Sequence, residues 1–155
     1  MAAIGDVDEA SSAIGVAIIA LGEDALTRDL ALIQNELFDL GADLATPDGI
    51  DGALRITADQ VARLESRIDA LNADLAPLTS FILPGGSAAS AALHLARAIA
   101  RRAERSAVAA GACNLQALAY LNRLSDFLFV AARHVNKRRG GDVLWRPGAT
   151  RDPSR

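Results

Sequence analysis

FILPGGSAASAALHLARAIARRAER, residues 81–105, joins a Pro-Gly-Gly turn to a long alanine-rich run, and its reading decides the fold class. Ser87 has the right place and chemistry to cap a helix that follows the turn and fades near Gly111. On that helix Arg97, Arg101 and Glu104 recur at i, i+4 and i+7, which puts them on one side. The opposite side carries Leu95, Ile99 and Ala103 as an apolar stripe, so the segment can pack into a bundle while presenting guanidinium groups. Two readings of the ionic face stay open: a solvated face held by ion pairs along the helix, or a site for a polyanion. Arginine suits the second, because its planar fork binds two phosphate oxygens at once and stays charged at any relevant pH.

Working outward, the same 3.6-residue periodicity and the scarcity of β-branched runs predict helices nearly throughout. One helix is expected over residues 7–21, with Asp6 and Glu9 spaced as a capping box and Gly22 at its end. A second covers 24–43, where Leu26, Leu30, Ile33, Leu37 and Leu40 form a seam, before Pro47, Gly49 and Gly52 break the chain. Thr57 and Gln60 offer another capping box, opening a helix to about residue 74 with Val61, Leu64, Ile68 and Leu71 on its buried side; Pro77 stops it. After the quoted helix, Asn114 can cap a last one reaching residue 137, ahead of the Gly140-Gly141 break. The pattern is all-α: a five-helix up-and-down bundle, four helices as core plus an extra one, in a domain of residues 1–139. Residues 140–155, with Trp145, Pro147 and Pro153, are expected to form an extended, partly mobile tail.

Composition narrows the function classes. A net charge of -3 and 4% aromatic residues argue against a general nucleic-acid binder, which needs a basic field and stacking platforms. No signal-like start and no stretch of about 18 uninterrupted apolar residues is present, so a soluble, cytoplasmic protein is expected, with no membrane partner. Cys113 is the only cysteine, which fits a reducing compartment and gives no basis for a catalytic thiol.

The last helix repeats the ionic theme in YLNRLSDFLFVAARHVN, where Asn122, Asp126 and Arg133 fall within an arc of roughly 40°. Two packed helices with facing polar seams need a ligand, water or second subunit between them, or else pair with each other. Glu104 can orient the arginines or reach a magnesium ion carried by a nucleotide. Phe81 reads by default as a core residue anchoring its loop, with a functional role only beside a flat apolar ligand. His94 and His134 lack metal-ligand spacing and are expected at the surface or between helices. Gly85-Gly86 is not a phosphate-binding loop of the Walker type, since the lysine and following hydroxyl are missing.

Taken in order, GDVDEASSAIG, IQNELFDLGADLATP, the 81–105 stretch, YLNRLSDFLFVAARHVN and the late VLWRPG resemble the PduO-type ATP:cob(I)alamin adenosyltransferases, over roughly residues 5–136. The resemblance implies a homotrimer of five-helix bundles with active sites at subunit interfaces, taking ATP and a corrinoid and forming adenosylcobalamin and triphosphate. It implies Mg2+ and K+ as accompanying ions, a reductase that supplies Co(I), and a cobalamin-dependent enzyme as recipient. By similarity, Phe81 is the wedge on the lower face of the corrin and Asp126 a polar neighbour of that site. Arg97 pairs with Asp8 of the adjoining subunit. Arg101, Glu104, Asn122 and Arg123 match nucleotide contacts, with Arg101 on the triphosphate and Glu104 toward the metal. One departure is clear: family members carry a glycine- and threonine-rich phosphate-wrapping stretch before the GDVDE segment, and only four residues precede Gly5 here. The alternative function is a non-catalytic corrinoid-binding or delivery protein of the same fold.

Overall fold

A computed structural model describes residues 1–112 and 114–151; Cys113 and Pro153, singled out above, lie outside the described residues. Five helices follow in order: α1 (Ala2–Leu21), α2 (Leu26–Ala45), α3 (Ala58–Asn72), α4 (Ala88–Ala109) and α5 (Leu115–Lys137). α1 packs on α2 and α4, α4 on α5, and α2 touches α5, closing a four-helix ring. α3 packs outside that ring on α5 and is tied to α2 through Arg67 and Asp29. None of these helices is long and apolar enough to cross a membrane.

Local chemistry starts and stops these helices largely where expected. Thr57 and Gln60 form a reciprocal capping box, while the Ser87 and Asn114 side chains accept from Ser90 and Gln116 amides. Gly22 ends α1 with φ 65°, a conformation that side chains disfavour. The Asp6/Glu9 capping box does not exist, because α1 begins at Ala2 and both acids lie inside it. Ala2, Ala3 and Ile4 continue the helix backward, Ala3 being buried, and the two carboxylates turn sideways onto α4.

The core is built of leucines from α2 and α5 and alanines from α1 and α4. Leu30, Leu37, Leu40, Leu121, Leu124 and Leu128 are fully buried, each worth about 2 kcal/mol of apolar transfer. Ala10, Ala13 and Ala17 of α1 and Ala96, Ala100, Ala103 and Ala107 of α4 are buried too, and their small side chains let the two backbones approach. The stripe expected on α4 is therefore displaced: Ile99 and Ala103 are buried, but Leu95 is exposed. Leu93 and the alanines at 96, 100, 103 and 107 supply the periodic contact instead.

Part of the tail is fastened to the bundle, and residues 147–150 beyond that part turn. Ile82 and Leu144 form an antiparallel bridge, with Leu83 N donating to Val143 O at 2.7 Å and Trp145 N to Phe81 O at 2.8 Å. Residues 142–145 thus act as a short second strand for the loop between α3 and α4.

Candidate active site

Phe81 sits on that loop 76% exposed, so it is not the core residue the default reading expected. Its backbone is held by the tail, and the Trp145 ring meets it edge-on at 5.9 Å. Beside it opens a depression of about 760 Å3 lined by Leu78, Thr79, Ser80, Ile82, Arg97 and Phe129. A projecting aromatic ring on fixed backbone, above an apolar floor with one cation, suits a flat, largely apolar ligand with polar edges.

Below the depression, α4 and α5 leave an incompletely paired polar cluster. The Arg97 guanidinium lies 6.0 Å from the Phe129 ring centroid, within cation–π range, and its Nε has no hydrogen-bond partner among the described residues. Burial, and then the charge of Arg101, hold Arg97 below the usual arginine pKa, though it stays charged. His94 is only 3% exposed, packs edge-on against Phe129, and has both ring nitrogens unpartnered. Burial first, and Arg97 second, lower its pKa against an opposing pull from Asp142, so the imidazole is neutral near pH 7.

Farther along the same two helices the polar seams meet directly. Asn122 Nδ2 donates to Glu104 Oε1 at 2.8 Å, Arg123 Nη2 donates to Asn122 Oδ1 at 2.6 Å, and Arg123 pairs with Asp126 at 3.0 Å. Glu104, Asn122, Arg123 and Asp126 therefore form one connected chain across the helix pair. Arg101 is exposed on the adjacent turn, where Arg105 donates to its carbonyl oxygen, and its guanidinium has no partner among the described residues. A free fork beside an ordered acid–amide–arginine chain can bind a polyanion without first breaking an internal ion pair.

One sequence reading is corrected here. Arg133 does not belong with Asn122 and Asp126: it is 8% exposed, donating from Nη2 to Ala76 O at 2.8 Å and from Nε to Asp142 at 2.9 Å. Arg102, one of the α4 arginines, is spent within the chain, bonded to Asp6 at 3.0 Å and to Glu9. Asp6 also accepts from Ser106; that bond above all lowers its pKa, burial opposes it, and Arg102 adds to the lowering. Asp8 and Arg97 do not meet in one chain. Asp8 is exposed in a groove on α1 with Leu37, Phe38 and Gly41 of α2, and has no ion pair among the described residues. The same residues contain no group of three or more His, Cys, Asp or Glu able to hold a metal ion.

Reading the sequence missed Phe129, which floors the depression, and Asn136, which is buried against the Gly85-Gly86 turn. The sequence offered no local signal for Asn136, whose partner lies 50 residues back in the chain.

Comparison with known proteins gives the family and the fold. The cobalamin adenosyltransferase family matches residues 1–135. A corrinoid adenosyltransferase of Mycobacterium leprae is 51% identical over 161 residues, covering 96% of this chain and 83% of that protein. One from Bacillus subtilis is 46% identical, covering 94% and 79% respectively. Among solved structures, a phenylalanine-to-alanine variant of a PduO-type ATP:corrinoid adenosyltransferase from Lactobacillus reuteri, complexed with cobalamin and ATP, superposes with a TM-score of 0.87. It is 37% identical, with 94% of this chain and 84% of that chain covered.

Proposed function

The chain belongs to the cobalamin adenosyltransferase family, and on that premise we propose how its residues carry out ATP:corrinoid adenosyl transfer. The reaction moves the 5′-deoxyadenosyl group of ATP to cob(I)alamin. The Co(I) electron pair attacks the ribose 5′ carbon, the C5′–O bond breaks, and triphosphate leaves with that bond's electrons. Cobalt arrives with the substrate, and no proton has to be moved. The protein's part is to control the cobalt's axial ligand, to align donor and acceptor, and to stabilise the departing charge.

The observation that carries the assignment is the Phe81 platform: an exposed ring whose backbone is held by the tail, next to an open depression. A single exposed aromatic is ordinary, but one clamped in this way beside an apolar floor is suited to press against the lower face of a corrin and keep the axial ligand away. Arg101, with its free fork, faces the triphosphate. Glu104, Asn122 and Arg123 bind the rest of the nucleotide, and Asp126 lies toward the corrin. Glu104 Oε2 is not used within the described residues, leaving one carboxylate oxygen for the Mg2+ that accompanies ATP. K+ belongs to the same reading without a residue set of its own. Asp8 and Arg97 lie on different faces without ion partners, so a bridge between them requires two copies; this supports the homotrimer with interfacial sites. A cytoplasmic setting and a reductase partner go with the need to generate Co(I).

The test is anaerobic incubation with cob(I)alamin and MgATP, following adenosylcobalamin and triphosphate together. Equal yields of both are expected, and Arg101→Ala should lower kcat on the order of 10²- to 10³-fold with the helical fold intact. Corrinoid binding with neither product would sink the enzymatic reading in favour of a delivery protein. Full activity in Arg101→Ala would remove that residue from the charge-stabilising role.

A further inference from the structure

We propose that Asn136 and Arg133 of α5 are positioning residues for Phe81: together they fasten both ends of the loop that carries the ring, and the tail strand that braces it. The proposal rests on Phe81 being the wedge.

The loop leaves α3 after Asn72 and enters α4 at Ala88, and it has no regular structure of its own beyond the bridge at Ile82. Such a segment is free to drift unless its polar backbone is tied to something rigid. On the outgoing side the buried tie is Arg133, whose Nη2 donates to Ala76 O at 2.8 Å, with an exposed second one from Lys137 Nζ to Asp74 O at 2.6 Å. On the incoming side it is Asn136, 1% exposed, whose Nδ2 donates to Gly85 O at 3.0 Å while its Oδ1 accepts from Ser87 N at 3.2 Å. Those two bonds close around Gly86, which has φ 97°; a Cβ there would come 2.5 Å from the Asn136 side chain. The turn can therefore seat only glycine while the asparagine occupies its place.

The same two residues also hold the brace. Arg133 Nε donates to Asp142 at 2.9 Å, and the Asn136 carbonyl accepts from Gly141 N at 2.8 Å. From there the tail runs to the bridge that receives Phe81. Arg133 and Asn136 are one turn apart on a long packed helix, so loop and tail are both referred to a single rigid element. Neither residue lines the depression. Their effect on chemistry passes through the ring they place, and a displacement of about 1 Å at such a group can cost on the order of 10²-fold in rate.

Asn136→Ala removes the side-chain bonds to Gly85 and Ser87. With MgATP and cob(II)alamin, the fraction of four-coordinate cobalt seen by electron paramagnetic resonance should drop, and kcat should fall roughly 10- to 100-fold. ATP affinity measured by calorimetry should stay within about twofold, a split that general loosening would not give. In a Phe81→Ala background the same substitution should add almost nothing, because its effect runs through the ring. Effects that multiply across the two substitutions, or a four-coordinate fraction unchanged in folded Asn136→Ala, overturn the proposal. If Phe81→Ala alone leaves the four-coordinate signal intact, the wedge assignment fails and the positioning role fails with it, an outcome the single variant identifies. Should Asn136→Ala not fold, Arg133→Lys, which keeps the charge but cannot serve Ala76 and Asp142 together, is read by the same signal.

Discussion

Two of the buried polar clusters in this bundle are built in opposite ways. Between α2, α3 and α5, Glu36 is 4% exposed and its carboxylate accepts from Tyr120 Oη at 2.6 Å and Gln60 Nε2 at 3.2 Å, with an ion pair to Arg63, whose Nη2 is the one atom of the cluster without a formal hydrogen bond among the described residues. Burial, reinforced by the Glu36 bond, raises the Tyr120 pKa and keeps the phenol a donor. Between α4 and α5, Ser90 Oγ, both nitrogens of His94 and Arg97 Nε have no partner among the described residues, and Asp142 Oδ1 lacks one as well. Unpaired buried polar atoms are costly, so the first cluster is what the fold needs and the second is what the fold tolerates. The tolerated one lies beside the Phe81 depression. The difference separates scaffold from site more sharply than burial does, since both clusters are inside.

The largest break in that comparison comes from Glu36→Ala. It strips Tyr120 and Gln60 of their acceptor and Arg63 of its ion partner, and because Arg63 can rehydrate, the expected loss is about 2–4 kcal/mol of unfolding free energy, short of the full cost of a stranded charge. Denaturant unfolding measures it, while kcat per folded molecule should hardly change. A folded but inactive variant would show that the α2–α3–α5 cluster is not mere scaffold.

Next in size is the pairing assigned to Arg97. If the unpartnered guanidinium is completed by Asp8 of a neighbouring copy, Asp8→Asn and Arg97→Gln should each weaken trimer formation, and a double-mutant cycle should return a coupling of roughly 1–3 kcal/mol. Sedimentation across a concentration series reads the association. Zero coupling, with the oligomer unaffected by either change, breaks the idea that the second cluster is finished by another subunit.

The two clusters were not equally legible in the sequence, and the reason is the range of the interactions. Thr57 with Gln60, Ser87 and Asn114 were readable as caps because a cap bonds within three residues of itself. Asp6 and Glu9 carry the same spacing without the role, since spacing does not say whether the preceding residues are already helical. The α4 ionic face was readable as an angle on a wheel, and Glu104 and Asn122 do meet. An angle carries no height, however. Arg133 shares the arc of Asp126 but sits about 10 Å farther along the axis, where its partners are a loop carbonyl and the tail. Phe81 was misjudged as core because apolar character does not say whether a loop residue faces inward, and the backbone of this one is held by residues 142–145, more than 60 positions later. Asn136 and Gly86, 50 apart in sequence, belong to the same class of fact.

The smallest effect is the most discriminating. His94→Leu replaces an imidazole with no hydrogen bonds by an apolar group of similar bulk, so at pH 7 stability should move by less than about 1 kcal/mol in either direction. The pH dependence should differ between variant and parent. The folded-state pKa of His94 lies below its ordinary 6.5 because burial disfavours the imidazolium, with Arg97 adding to the effect and Asp142 opposing it. As pH falls below 6.5 the unfolded chain takes up a proton that the folded chain refuses, so the parent loses stability progressively until the folded-state pKa is reached. Above 6.5 the group contributes nothing. His94→Leu should flatten that part of the decline in chemical denaturation between pH 7 and 5. A decline identical in parent and His94→Leu would mean that the imidazole is partnered in solution, and the α4–α5 cluster would then resemble the Glu36 cluster after all.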